Sequence, residues 1–237
     1  MKLNLEKKPE NVKVIVGFPG FGLVGTIATK FLIEHLDVEH IGRVESTKLL
    51  PLAAIHKSQL VGPLDIFYNK QYNLVIVQTL SDLSGQEWGV ADMIHELCED
   101  LKAKEIIILE GIPGQNPKVL KTYYYCLKKN NAIEKLKLDP LKEGVMMGAT
   151  ATLFLRLDGE IPYLGIFSEG HSQLPDSEAA ARVVKVLDDY LDLKIDYKPL
   201  IAAAKKFEDM LKQLIDKNKQ TKMMPYKTEE SDLDYLG

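Results

Sequence analysis

Three glycines at the spacing G-x-G-x-x-G stand directly behind the apolar run Val12-Lys13-Val14-Ile15-Val16, in the stretch GFPGFGLVG at residues 17–25. A short β-branched run closed by a Gly/Pro cluster reads as a buried strand entering a turn. Beyond Leu23 the apolar residues Val24, Ile27, Ala28, Phe31 and Leu32 keep the 3.6-residue period of a helix. Strand, glycine turn and helix in succession make the opening unit of an α/β layer. The turn has two physical readings. Its backbone amides could cradle a diphosphate, with Glu45 about 20 positions on to meet a ribose. Alternatively, Gly17, Gly20, Gly22 and Gly25 form a structural turn, supplying positive φ and close strand-to-helix contact.

The residues around the glycines weigh toward architecture. Pro19 and Phe21 put a rigid ring and a bulky aromatic where a pyrophosphate needs open amides. After Glu45 the βαβ cadence breaks at Leu50-Pro51-Leu52. A Walker-type site fails as well, because Thr26-Ile27 follow Gly25 where Lys and Ser or Thr are required.

The rest of the chain alternates strands and helices. Strands are expected over His40–Glu45, Glu105–Leu109 and Tyr163–Phe167. Leu64–Tyr68 and Leu74–Thr79 flank the polar link 69–73 as a hairpin, which makes the sheet mixed. Helices are expected over Glu87–Leu101 and Pro117–Lys129, with a short strand-to-helix region at 144–155. Asp176 reads as the N-cap of a helix whose buried stripe is Val183, Val184, Leu187 and Leu191. The expected fold class is a three-layer α/β sandwich on a mixed, mostly parallel sheet, forming one domain over residues 1–215 with a terminal helix at about 199–215. Residues 216–237 lose apolar periodicity and read as a flexible tail ending EESDLDYLG.

Composition narrows the function classes. Thirty basic and 34 acidic residues give a net charge of −4, with no positive field to collect nucleic acid. The N-terminus lacks a signal-peptide pattern and no eighteen-residue apolar run exists, so a cytoplasmic protein is expected. Cys98 and Cys126 stand singly in patterns that read as helices and are expected to be structural thiols. His35, His40, His56, His95 and His171 share no metal-ligand spacing. There is no G-x-S-x-G elbow, and His171-Ser172 reads as a turn. Glu110 and Asp82 lie beyond strands, at the edge where α/β sites sit.

Four stretches together resemble the proteasome assembly chaperone family, in particular its archaeal members: VIVGFPGFGLVGTIATKFLIEHL, LEGIPG, GATATLFL and SEGHSQLPDSEAAARVVKVLDDYLDLKIDYKPL. The resemblance covers roughly residues 10–215. It implies a layout similar to nucleoside phosphorylases and related hydrolases, no established catalysis, no cofactor, and homo-oligomers or assemblies with related family members. It also implies binding to proteasome α-subunits or 20S assembly intermediates, in some relatives through a C-terminal hydrophobic-Tyr-X tripeptide. Here Tyr235 is third from the end, follows Asp234 and precedes Leu236-Gly237, so this tail departs from the tripeptide unless Leu233 substitutes. The contact residues so implied are Leu233, Tyr235, Leu236 and Gly237. The alternative is a nucleoside- or nucleotide-binding enzyme on the same scaffold, with the glycine loop at the ligand and Glu45 or Glu110 at a sugar.

Overall fold

Lys13–Gly17 (β2) sends Val14 and Val16 to one face and Ile15 to the other, and all three are fully buried. A strand covered on both faces needs helices above and below it, and the remaining elements supply them. The structure, a computed structural model, describes residues 1–56, 58–114, 119–127, 131–171 and 174–202. Around β2 the chain forms β1 (Lys2–Leu5), a single 3-10 turn (Phe21–Leu23), α1 (Val24–His35) and β3 (Glu39–Glu45). Next come β4 (Ala54–His56), β5 (Gln59–Val61), β6 (Leu64–Asn69), β7 (Leu74–Thr79) and α2 (Glu87–Asp100). They are followed by β8 (Glu105–Pro113), β9 (Thr122–Cys126), α3 (Asn131–Lys135) and β10 (Asp139–Pro140). The last are α4 (Gly148–Leu157), β11 (Tyr163–Gly170) and α5 (Ser177–Leu191).

Among the described residues nine strands make one sheet in the order β1-β3-β6-β7-β2-β8-β11-β9-β10, while β4 and β5 pair separately. β7, β2, β8 and β11 run parallel through its middle. The expected β6–β7 hairpin is antiparallel, as are the β1–β3 and β9–β11 pairs. α2 and α4 cover one face, burying Val90, Ile94, Leu97, Leu153 and Phe154 against Val14, Val16 and Ile108. α1 and α5 cover the other, with Phe31, Leu32, Val183 and Leu187 against Ile15, Ile107 and Ile166. The architecture is the expected three-layer sandwich on a mixed sheet with a parallel centre.

Local expectations differ from the structure in three places. The helix expected at Pro117–Lys129 is the strand β9, whose Tyr124 faces the core and pairs with Ile166 of β11. Cys126 therefore ends a strand, whereas Cys98 is buried on α2 as expected and burial pushes its thiol up to about 12. β8 does not stop at Leu109 but continues to Pro113, held by pairing with β11 through Gly170. Residues 141–147 carry no strand ahead of α4. Among the described residues no helix is long and apolar enough to cross a membrane. The chain is helical again at 198–202; the remainder of the helix expected to residue 215 and the whole tail lie outside the described residues.

Candidate functional site

Parallel strands place their carboxyl ends, and whatever follows them, on one edge of the sheet. At that edge the ends of β2, β8 and β11 meet the N-terminal turns of α1, α4 and α5. Contact is close because the residues there lack side chains. A Cβ on Gly17 would fall on the carbonyl oxygen of Gly25 and within 2.9 Å of its Cα. One on Gly25 would strike the carbonyl of Leu109, and one on Gly111 the carbonyl of Phe21. Gly22 has φ +63°, and its carbonyl accepts the Asp176 N–H at 2.8 Å. The four glycines thus lock β2 and α1 onto β8 and onto the start of α5.

Glu110 occupies the concave side of this turn. Its carboxyl accepts the Thr150 hydroxyl at 2.5 Å and the backbone N–H groups of Phe21 and Gly111. A Cβ on Gly20 would collide with it. Burial, against those three donors, pushes the carboxyl up to about 7. The amides at the loop mouth are therefore taken by a carboxyl group of the protein itself. A phosphate entering there would displace three hydrogen bonds and meet an acid.

Asp176 ties down the other side. It caps α5 by accepting the Ala179 N–H at 2.8 Å, and it accepts the His171 N–H at 3.0 Å. Burial works to raise its pKa, but these donors and the His171 ring outweigh it and hold the carboxylate below its usual range. His171 thus serves the turn expected of it; Ser172 lies outside the described residues.

Glu45, the other acid of the enzyme reading, and Asp82, singled out at the sheet edge, sit elsewhere. Glu45 ends β3, and β6 and β7 stand between that strand and β2, a separation of roughly 14 Å at normal strand spacing. It faces a polar cavity of about 740 Å3 shared with Glu6, Lys8 and Arg43. Asp82 lies beyond β7, where the Ser84 hydroxyl and N–H bond it and lower its pKa. Among the described residues Asp82 and Glu110 share no hydrogen-bond partner, and no group of three His, Cys, Asp or Glu residues could hold a metal. Nothing in the sequence singles out Thr150, since a threonine in the first turn of a helix announces nothing until Glu110 is placed beside it.

The four stretches that carry the family resemblance therefore converge on this edge through Gly17–Gly25, Glu110–Gly111, Thr150, and Gly170, His171 and Asp176. Comparison with known proteins agrees: the PAC2 family model matches residues 14–215. The chain belongs to the PAC2 family. An uncharacterized protein from Methanocaldococcus jannaschii is 28% identical over 213 residues, covering 88% of this chain and 87% of its own. PbaA of Pyrococcus furiosus, an archaeal homolog of proteasome-assembly chaperone, is 26% identical with a TM-score of 0.81, over 93% of this chain and 94% of that one. PbaB of the same organism, an archaeal proteasome activator, shares the fold at 22% identity and a TM-score of 0.73, over 90% and 98% of the two chains.

Proposed function

We propose that this PAC2 protein is a non-catalytic, cytoplasmic chaperone or scaffold that binds proteasome α-subunits or 20S assembly intermediates. The observation that carries the reading is the match to PbaA along nearly the whole of both chains. The site geometry supports it, because Glu110 takes the loop amides that a nucleotide enzyme on this scaffold would leave open. In this reading the fold is one domain to about residue 215, and it presents a C-terminal tail with Leu233, Tyr235, Leu236 and Gly237 as contacts. A tail with few apolar side chains binds weakly alone, and a homo-oligomer displaying several would gain through effective concentration.

Deleting residues 229–237 is expected to weaken capture of proteasome α-subunits at least tenfold, with the far-UV circular dichroism and melting temperature unchanged. Unaltered capture would remove the tail from the mechanism. For the enzyme reading, a ligand at 100 times its dissociation constant adds about 2.7 kcal/mol to stability. NAD, ATP and nucleosides at millimolar concentration are expected to leave the melting temperature in place. A reproducible, saturable rise with any of them would favour the enzyme.

A further inference from the structure

On the far side of β8 from the glycine turn, a groove of about 580 Å3 opens between the ends of β8 and β11, the β9–β10 edge and residues 139–146. Its walls are apolar, formed by Ile112, Pro113, Leu141, Met146 and Phe167. Beside it the segment leading into α4 holds Val145 and Met147 out in solvent, 91% and 83% exposed. The polar groups facing the groove are mainly acids: Asp139, Glu143 and Glu169 against one lysine, Lys142.

Glu169 is the unusual member. It is 4% exposed, and its carboxylate accepts the Lys121 N–H at 2.9 Å and the Tyr123 hydroxyl at 3.4 Å. Two donors leave about half of a carboxylate's acceptor capacity unused. Among the described residues no lysine, arginine or histidine side chain pairs with Glu169, Asp139 or Glu143. The Tyr123 hydroxyl responds to this field: burial first, then the charges of Glu169 and Asp139, raise its pKa. A buried carboxylate without a cation is costly, and the cost is relieved when a cation arrives with its own hydrogen-bond donors.

An ammonium on an apolar stem, flanked by further apolar groups, matches both halves of this lining. The groove is larger than one side chain and has the size of a cleft that encloses a small peptide-like ligand. We propose that it docks an extended segment of a partner polypeptide. A lysine ammonium would meet Glu169 and Asp139, and neighbouring apolar side chains would lie on Leu141, Met146 and Val145. The choice of a polypeptide over a free amine rests on the reading of this chain as a protein that binds proteins; the groove itself is separate from the tail.

The test is fluorescence anisotropy of the full chain with a labelled, acetylated and amidated Ala-Leu-Lys-Leu-Ala peptide, compared with the same peptide carrying norleucine for lysine. Saturable binding is expected, at least tenfold weaker for norleucine and at least tenfold weaker for Glu169→Gln. Asp139→Asn changes an exposed residue and is expected to weaken binding about threefold without risk to folding. Deleting residues 229–237 is expected to leave peptide binding intact, and no proteasome subunit enters the assay, so this result and α-subunit capture fail independently. Absence of saturable binding, or indifference to both norleucine and Asp139→Asn, would overturn the proposal. So would displacement of the peptide by cadaverine at equal concentration, which assigns the groove to free amines. Binding lost as the protein is concentrated and recovered on dilution would assign it to a second copy, and would also overturn it.

Discussion

Gly25→Ala is expected to destabilise the fold by about 3 kcal/mol, lowering the melting temperature by about 6–12 °C for a chain of this size. Gly25 is the second residue of α1, where alanine ordinarily gains about 1 kcal/mol over glycine. Here the added methyl points at the carbonyl of Leu109 in β8, 2.9 Å from the Gly17 Cα and 3.0 Å from the Phe18 N. All of these are backbone atoms of central strands or of the turn that leaves β2, so no rotamer change relieves the overlap; α1 must lift from the sheet. Lifting it loosens the contacts of Val24, Ala28 and Phe31 with Ile15 and Ile107, and opens the hydrogen bond from Asp176 to Gly22. The matched control is Gly85→Ala, where φ is +77° but nothing stands within 4 Å of a Cβ. That change meets only left-handed strain, about 1–2 kcal/mol. Thermal or urea unfolding of the two variants decides the point: no loss, or a gain, for Gly25→Ala would remove the packing role argued here, because Gly25 has no positive φ that could account for a loss.

The same contacts show what could be read from the sequence. The run from Val12 to Val16 announces itself because a central parallel strand is buried on both faces and needs no alternation. α1, α2 and α5 each bury one stripe, and that period survives in the sequence. β9 was illegible for a specific reason. Val119, Leu120, Tyr123, Tyr124 and Leu127 satisfy helical spacing, and the pairing of Tyr124 with Ile166 that makes the segment a strand is a contact no local window contains. β1 is not legible because KLNL is short and half polar; among the described residues its one ladder is to β3, at the edge of the sheet. At the candidate site the glycine spacing is visible, and Pro19 and Phe21 weigh it toward architecture, but the group that fills the loop is not legible. Whether the loop is open or filled depends on Glu110 and Thr150, forty residues apart, which only the topology brings together.

Glu110→Gln is expected to make the protein more stable than the wild type at pH 8 by up to about 3 kcal/mol, and to leave it little changed near pH 4. The folded carboxyl titrates at about 7 against an ordinary 4.5. Between those values the native state keeps a proton that the unfolded chain has released. Wild-type stability from this group is therefore fully present below pH 4.5 and is lost as pH rises through about 7. Glutamine mimics the neutral acid and cannot ionise, so the difference between the two proteins in urea unfolding isolates this group. Asp82, Asp176 and Glu160, whose pKa values are lowered, titrate below the window and act with the opposite sign in both proteins. Thr150→Val removes a donor that favours the ionised form, so it should move the loss of stability to higher pH. A glutamine variant that is instead less stable than the wild type at pH 8, by a margin that shrinks as pH falls, would mean that the loop holds Glu110 as an anion. The amides of Phe21 and Gly111 would then be a true anion-binding nest, and a competing phosphate would become a chemically reasonable ligand for it.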